Sequence, residues 1–176
     1  LLYHTTSPSK VLVLDCDNTL WGGVIGEDGL EGIALGTDGI GKAFVDFQKE
    51  VKKLVKEGVV LVLASQNNEG DVWEVFDNHQ SMELSRKDIV AHKINWNDKS
   101  SNMLELANEL NLALDSFVFW DDNPVERGKA RALVPFVTTV EVPENVLEWP
   151  NLLRNLDAFS KTFVTDEDQN KAKQYR

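Results

Sequence analysis

The chain has 176 residues, 42% of them apolar, and a formal net charge of −11 at pH 7. This length is enough to bury the core of one domain, and the acidic balance argues against nucleic acid or an anionic membrane surface as a partner. The single cysteine cannot form an internal disulfide, which favours a reducing, cytoplasmic location. The sequence shows neither a signal peptide nor an apolar run long enough to span a membrane.

Strand and helix patterns alternate along the chain, as they do in α/β proteins. In chain order we predict a strand at 11–15, a glycine-rich loop or small flap at 21–41, a helix at 42–56, a strand at 59–64 and a helix at 69–78. There follow a short strand at 89–92, a helix from 98 or 100 to 110, strands at 117–120 and 136–140, and a helix at 144–156 that Pro150 interrupts. We expect a single domain over 1–176, with 1–9 as a leader and 165–176 as a polar tail, cut from a longer polypeptide.

Polar side chains follow three of the predicted buried strands. Asp15 and Asp17 come at the end of the first, Ser65 at the end of the second, and Asp121 and Asp122 directly after 117–120. Because the carboxyl ends of parallel strands meet at one edge of a sheet, these residues are expected to converge. Carboxylates next to an apolar strand repel each other unless a cation joins them, and Mg²⁺ prefers oxygen ligands. The sequence therefore predicts a magnesium site at this edge.

The ordered set of motifs resembles that of the haloacid dehalogenase (HAD) superfamily. The matching residues are Asp15-Cys-Asp-Asn-Thr19, Ser65, Lys99 and Asp121-Asp-Asn123. The resemblance implies a Rossmannoid three-layer α/β sandwich around a mostly parallel central sheet. Since no large insertion follows 21–41 or separates Ser65 from Lys99, we expect a minimal cap or none.

Longer segments resemble the FkbH-like branch of that superfamily. They are 17–29, 65–68, 95–100 and 117–127, and the resemblance extends from about residue 10 onward. The branch implies transfer of a glyceryl or related hydroxyacyl unit from 1,3-bisphosphoglycerate or a similar acyl phosphate, with dephosphorylation. The acceptor would be the phosphopantetheine arm of an acyl carrier protein in polyketide biosynthesis.

The resemblance also implies a role for each motif residue. Asp15 would be the nucleophile that accepts a phosphoryl group, and Asp17 the general acid and base whose backbone carbonyl also faces the metal. Asp121 would complete the protein ligands of Mg²⁺. Asp122 would either add a contact through water or orient the other ligands.

The remaining candidates would contact the substrate. Ser65 would donate a hydrogen bond to a phosphoryl oxygen, and Lys99 would offset negative charge on the reacting group and on Asp15. Further candidates for phosphate or substrate contacts are Asn18, Thr19, Trp21, Gln66 and Asn67.

Cys16 has two interpretations. Side chains alternate along a strand, so Cys16 between two site residues would face the core as a small apolar residue. The family resemblance implies instead a nucleophile that carries the acyl group as a thioester. Nearby aspartates would raise the pKa of the thiol, whereas Mg²⁺ and Lys99 would lower it.

Two other functions are compatible with the sequence. A plain HAD phosphatase for a small phosphorylated metabolite would need Asp15, Asp17, Ser65, Lys99 and Asp121 but not the thiol. A non-catalytic docking module of a synthase would keep the fold without the chemistry, and the complete motif set argues against it.

Overall fold

The computed structural model describes residues 10–160, so the expected leader at 1–9 and the expected tail at 165–176 lie outside the described residues. Within this range the centre of the protein is a five-stranded parallel sheet in the order β3-β2-β1-β4-β5. The strands are β1 (Val11–Leu14), β2 (Val60–Gln66), β3 (Ala91–Asn95), β4 (Phe117–Trp120) and β5 (Thr138–Thr139). β1 lies between β2 and β4, with Leu14 opposite Leu63 on one side and Trp120 on the other.

Helices cover both faces of the sheet. They are α1 (Ile25–Gly32), α2 (Gly39–Lys56), α3 (Glu69–Asn78), α4 (Lys99–Leu110), α5 (Pro124–Leu133) and α6 (Trp149–Arg154). No helix within residues 10–160 combines the length and apolar character needed to cross a membrane.

Alternation along β1 divides the core into two layers. Leu12 and Leu14 pack into the larger apolar cluster with residues of α1, α2, α3 and α6. Val11 and Val13 point to the other face and pack with residues of α4 and α5. Because the central strands are buried on both faces, they read as continuous apolar runs in the sequence. The three-layer α/β architecture that we expected is confirmed.

The two helices that flank the site-bearing loops differ from expectation. The segment 21–41, predicted as a loop or flap, contains α1, which bends at Gly29, where φ is 72°. We predicted no helix for 124–133, where α5 lies. Its buried residues are Arg127 and Ala130 rather than large apolar side chains, so the sequence lacks the usual helical stripe. Its start is nevertheless marked by Asn123, whose side chain accepts a hydrogen bond from the Val125 amide, and by Pro124 in the first turn.

The other boundaries shift by a few residues. β3 runs over Ala91–Asn95 rather than 89–92, and the edge strand β5 is reduced to Thr138–Thr139 from the predicted 136–140. α6 begins next to Pro150 instead of being interrupted by it, because proline is well tolerated in the first turn of a helix.

Candidate active site

Three aspartates converge at the carboxyl edge of the sheet. Asp15 follows β1, and Asp121 and Asp122 follow β4, the neighbouring strand. One oxygen from each carboxylate lies within 4.8 Å of the other two. Asp15 and Asp121 are buried, and Asp121 is fully enclosed. The predicted meeting of residues more than a hundred positions apart is therefore observed.

A buried lysine joins two of these acids. Lys99 is the first residue of α4, and the N-cap residue Asp98 accepts a hydrogen bond from the Ser101 amide, which fixes the start of the helix. The Lys99 Nζ lies 2.5 Å from Asp121 Oδ2 and 3.2 Å from Asp15 Oδ1. The helix thus delivers a single cation into the acid cluster.

Burial and charge shift the pKa values of these groups. Burial raises the pKa of Asp15 well above its ordinary value, Lys99 opposes this, and the two other aspartates add to it. Burial and then Asp121 raise the pKa of Asp122. Burial disfavours the charged form of Lys99, but Asp15 and Asp121 outweigh it and raise the lysine pKa.

The charges of the acid cluster are not balanced by Lys99 alone. Three carboxylates and one ammonium leave an excess of negative charge in a mostly buried cluster, and burial raises the pKa of Asp15 although Lys99 lies beside it. Converging carboxylate oxygens are the ligands of a hard divalent cation. The site therefore fits Mg²⁺, with Asp15, Asp121 and Asp122 as the side chains that would hold it.

Asp17 lies beside this cluster but is held by other donors. Its Oδ1 accepts hydrogen bonds from Trp21 Nε1 at 3.0 Å and from the Ile25 amide at 2.9 Å. Its Oδ2 accepts one from Asn67 Nδ2 at 2.8 Å. The side chain is not part of the converging triad, so any contact of Asp17 with a metal would use its backbone carbonyl, as we predicted for it.

A cavity of about 170 Å³ opens above the triad. Its lining includes Asp15, Asp17, Asn18, Gln66, Lys99 and Asp122. Gln66 also donates a hydrogen bond to the Asn97 carbonyl, which ties the end of β2 to the loop after β3. Asn18 has a positive φ of 58° and accepts a hydrogen bond from the Gly23 amide, so it shapes the turn that follows β1. These residues are placed where a substrate would lie.

Two of the expected substrate contacts are corrected by the structure. Thr19 and Trp21 are fully buried, so neither presents a surface to a ligand in the cavity. Thr19 donates from Oγ1 to Asp122 Oδ1 at 3.0 Å, and Trp21 donates to Asp17. Each therefore donates a hydrogen bond to a site carboxylate from the side of the core, because the chain turns back into the core after Asp17.

Ser65 and Asn67 lie deeper than we expected. Both are nearly inaccessible to solvent, and Asn67 Nδ2 lies 3.5 Å from Ser65 Oγ. Direct donation from Ser65 to a phosphoryl oxygen stays a prediction.

The geometry favours the packing interpretation of Cys16. The residue has no exposed surface and belongs to the larger apolar cluster. Burial, followed by the charge of Asp15, raises the pKa of its thiol well above the usual value, although a hydrogen bond with Ser65 acts in the opposite direction. A group that is neutral and enclosed is not placed to attack a substrate in this conformation.

Arg127 is a site residue that we did not single out from the sequence. Its Nη1 donates to the backbone carbonyls of Asp121 at 3.1 Å and Asp122 at 3.0 Å. These bonds fix the turn that carries two acids of the triad. Arg127 ends the segment 117–127 that resembles the FkbH-like branch, but the resemblance gave it no role, and we did not predict the helix that carries it.

This sheet order, with acids after β1 and β4 and a lysine at the start of α4, agrees with the haloacid dehalogenase-like fold that the sequence resemblance implies. Among solved structures the chain is similar to the N-terminal part of protein BF1531 from Bacteroides fragilis, which contains a phosphatase domain and was crystallised with Mg. The identity is 42% and the TM-score 0.82, over 88% of this chain and 42% of the other. The chain therefore spans less than half of that structure.

More distant structures share the fold. A HAD-family enzyme from Bacteroides thetaiotaomicron in a magnesium complex has 15% identity and a TM-score of 0.57, over 85% of this chain and 100% of the other. The 3-deoxy-D-manno-octulosonate 8-phosphate phosphatase from Moraxella catarrhalis has 18% identity and a TM-score of 0.52, over 92% and 97%. No protein-family profile and no curated protein matches the chain. These structures support the α/β fold that the superfamily resemblance implies, and the FkbH-like branch stays a prediction.

Proposed function

We propose that the protein is a magnesium-dependent phosphatase that forms a phosphoryl-aspartate at Asp15. The observation that carries this proposal is the placement of Asp15, Lys99 and Asp17 around one cavity above a triad of metal-binding acids. The magnesium-bound phosphatase domain of BF1531, at 42% identity, supports the same chemistry.

In the first half-reaction an oxygen of Asp15 attacks the phosphorus of a phosphate monoester. The bond from phosphorus to the leaving oxygen breaks, and Asp17 gives its proton to that oxygen. Lys99, which contacts Asp15, offsets the charge that builds on the phosphoryl oxygens.

In the second half-reaction Asp17 takes a proton from a water molecule. The water oxygen forms a new bond to phosphorus, and the bond to Asp15 breaks. Inorganic phosphate leaves, and the carboxylate of Asp15 and the protonated Asp17 are restored. When bound by Asp15, Asp121 and Asp122, Mg²⁺ supplies the positive charge that lets two anions approach.

The phosphoryl-aspartate is tested with Asp15→Asn. We expect this variant to lose more than about a thousandfold in kcat toward p-nitrophenyl phosphate with Mg²⁺, because the nucleophile is gone. Wild type quenched in acid during turnover should carry one added phosphoryl group, located on Asp15 by peptide mass after borohydride reduction. Asp115→Asn, an exposed acid, should match wild type. Turnover that survives in Asp15→Asn overturns the proposal.

A second candidate is the acyl transfer that the FkbH-like resemblance implies. Sulfur of Cys16 would attack the acyl carbon of 1,3-bisphosphoglycerate, the bond from carbon to the acyl-phosphate oxygen would break, and inorganic phosphate would leave with the thiol proton. The thiol of the phosphopantetheine arm would then attack the thioester and release Cys16. The segment matches favour this candidate, for which we propose a cytoplasmic location.

Acyl transfer requires the turn after β1 to open and expose Cys16, because the thiol is buried in this structure. Intact mass after incubation with 1,3-bisphosphoglycerate and Mg²⁺ should then show one acyl adduct, absent from Cys16→Ala and discharged by a carrier protein. An adduct of equal size on Cys16→Ala, or phosphate release without any adduct, contradicts this candidate and leaves the phosphatase.

A further inference from the structure

The carboxylate of Asp17 is fixed from both of its oxygens. Trp21 Nε1 and the Ile25 amide donate to Oδ1, and Asn67 Nδ2 donates to Oδ2. A carboxylate that only capped α1 would need the amide alone. The two side-chain donors therefore do something beyond starting the helix.

Both donors are themselves immobilised. Trp21 has no exposed surface, and its ring packs edge-on against Phe76 with centroids 6.4 Å apart. Asn67 is 5% exposed and comes directly after β2, which pairs with β1. The donors thus belong to the turn after β1 and to the loop after β2, and they meet on one side chain between them.

The held carboxylate faces the reacting groups. Asp17 lines the same cavity as Asp15 and Lys99, yet its side chain is outside the triad that would hold the metal. A carboxylate in that place would otherwise be drawn toward Lys99 or a divalent cation. Donors on both oxygens hold it in an orientation in which it lines this cavity.

We propose that Trp21 and Asn67 are positioning residues that hold the carboxyl group of Asp17 in place for proton transfer to the leaving group. This inference rests on the phosphatase function proposed above. Trp21 does not serve as a surface on which a substrate stacks, because it is buried. It also differs from an ordinary aromatic residue of the core, because its indole N–H donates a hydrogen bond to a catalytic group.

The role makes a prediction that depends on the leaving group. An alkoxide must be protonated as it departs, whereas p-nitrophenolate departs without a proton. Loss of positioning should therefore slow cleavage of an alkyl phosphate such as glycerol phosphate and spare p-nitrophenyl phosphate. A general loss of structure would slow both equally.

The test compares Trp21→Phe and Asn67→Ala with wild type, in single turnovers with enzyme in excess and Mg²⁺ present. Release of the alcohol reports the first half-reaction, so the hydrolysis step common to both substrates does not enter. We expect the rate with glycerol phosphate to fall about tenfold or more in each variant, since general acid catalysis contributes about 10²–10⁴-fold in total. The rate with p-nitrophenyl phosphate should stay within about threefold by the same reasoning, and the enzyme concentration giving half the maximal rate should change little.

Trp73→Phe is the matched control. Trp73 also donates from Nε1 to a carboxylate four residues earlier, Glu69, at 3.0 Å, and also packs edge-on against Phe76. The Trp73→Phe variant removes the same kind of hydrogen bond outside the site, and it should leave the rates with glycerol phosphate and with p-nitrophenyl phosphate unchanged. If Trp21→Phe does not fold, Asn67→Ala still tests the inference, because truncating the smaller asparagine side chain disturbs the packing less.

Equal slowing of both substrates in the variants, or no slowing of either, overturns the inference. The proposed function fails separately: it falls if Asp15→Asn keeps its turnover. An inactive Asp15→Asn together with no leaving-group dependence in Trp21→Phe and Asn67→Ala leaves the phosphatase intact and removes only the positioning role.

Discussion

Lys99 shows how one side chain can carry both stability and chemistry. It lies between Asp15 and Asp121 in a pocket that excludes most water. Removing one partner of a buried ion pair leaves an uncompensated charge, which costs more than the pair itself contributes. The lysine therefore has a structural effect that is separate from its effect on the phosphoryl group.

We expect Lys99→Met to lower the free energy of unfolding by about 3 kcal/mol in the presence of EDTA, because two buried carboxylates lose the ammonium group that contacts both of them. With Mg²⁺ the loss should be smaller, since the metal offsets the same charges. Urea unfolding followed by circular dichroism measures both. Lys42→Met is the control, because Lys42 pairs with Asp46 on the exposed face of α2 and should change stability little. Losses of equal size in the two variants would contradict this account of Lys99.

The burial of Cys16 leads to a second expectation at the residue scale. The thiol is enclosed, and burial together with Asp15 raises its pKa, so it is protonated near neutral pH. Ellman's reagent should label the native protein very slowly and label one thiol at once in guanidinium chloride. Rapid labelling of the native protein would show instead that the turn after β1 opens, and would favour the acyl-transfer candidate. Cys16→Ala supplies the baseline.

At the level of elements, the strands were predicted better than the helices around the site. β1 and β4 are buried on both faces, so continuous apolar runs mark them in the sequence. α5 buries an arginine and an alanine, and α1 is interrupted by glycines, so neither shows a helical stripe. Their positions depend on contacts with the acid-bearing loops, which only the folded chain brings together.

An ion pair that links α2 and α6 depends on one carboxylate, that of Glu50. Arg154 donates to both oxygens of Glu50, at 3.2 and 3.1 Å, across 104 positions of the chain. The hydrogen bond with Arg154 is the main cause of a lowered pKa at Glu50, and burial acts against it. A lowered pKa contributes stability that is present above the ordinary value and is lost as the pH falls through the lowered one.

We therefore expect Glu50→Gln to reduce the free energy of unfolding by about 1 kcal/mol at pH 7, a value kept small because Arg154 is more than half exposed and screened by water. The difference from wild type should shrink as the pH falls below 4.5, the ordinary value for glutamate, because wild type then loses the same charge. Urea unfolding at pH 7 and pH 4 tests this. Asp46→Asn, which breaks an exposed pair within α2 alone, should have a smaller effect, and a difference that grows toward acid would be contrary to the expectation.

At the level of the whole molecule, the sequence predicted which strand ends would meet but not what holds each side chain. Asp15 and Asp121 follow neighbouring parallel strands, so sheet topology alone brings them together. The contact of Asn67 with Asp17 spans 50 positions and depends on how two loops turn after their strands. Such contacts follow from loop geometry, for which a single sequence carries little information.

The folded chain collects acids that the unfolded chain keeps apart, so metal binding and folding should be linked. Three carboxylates converge within 4.8 Å only in the native state, and a ligand that binds this state alone stabilises it. At a Mg²⁺ concentration about one hundred times its Kd the added stability should be about 2.7 kcal/mol. Urea unfolding in EDTA and in graded Mg²⁺ measures the gain. Asp122→Asn should lose much of it, because one ligand oxygen loses its charge. Asp115→Asn should keep all of it, because Asp115 is exposed and lies before β4, at the opposite end of the strand from the triad. A gain that is absent in wild type, or equal in wild type and Asp122→Asn, would mean that the triad does not bind the metal as we propose.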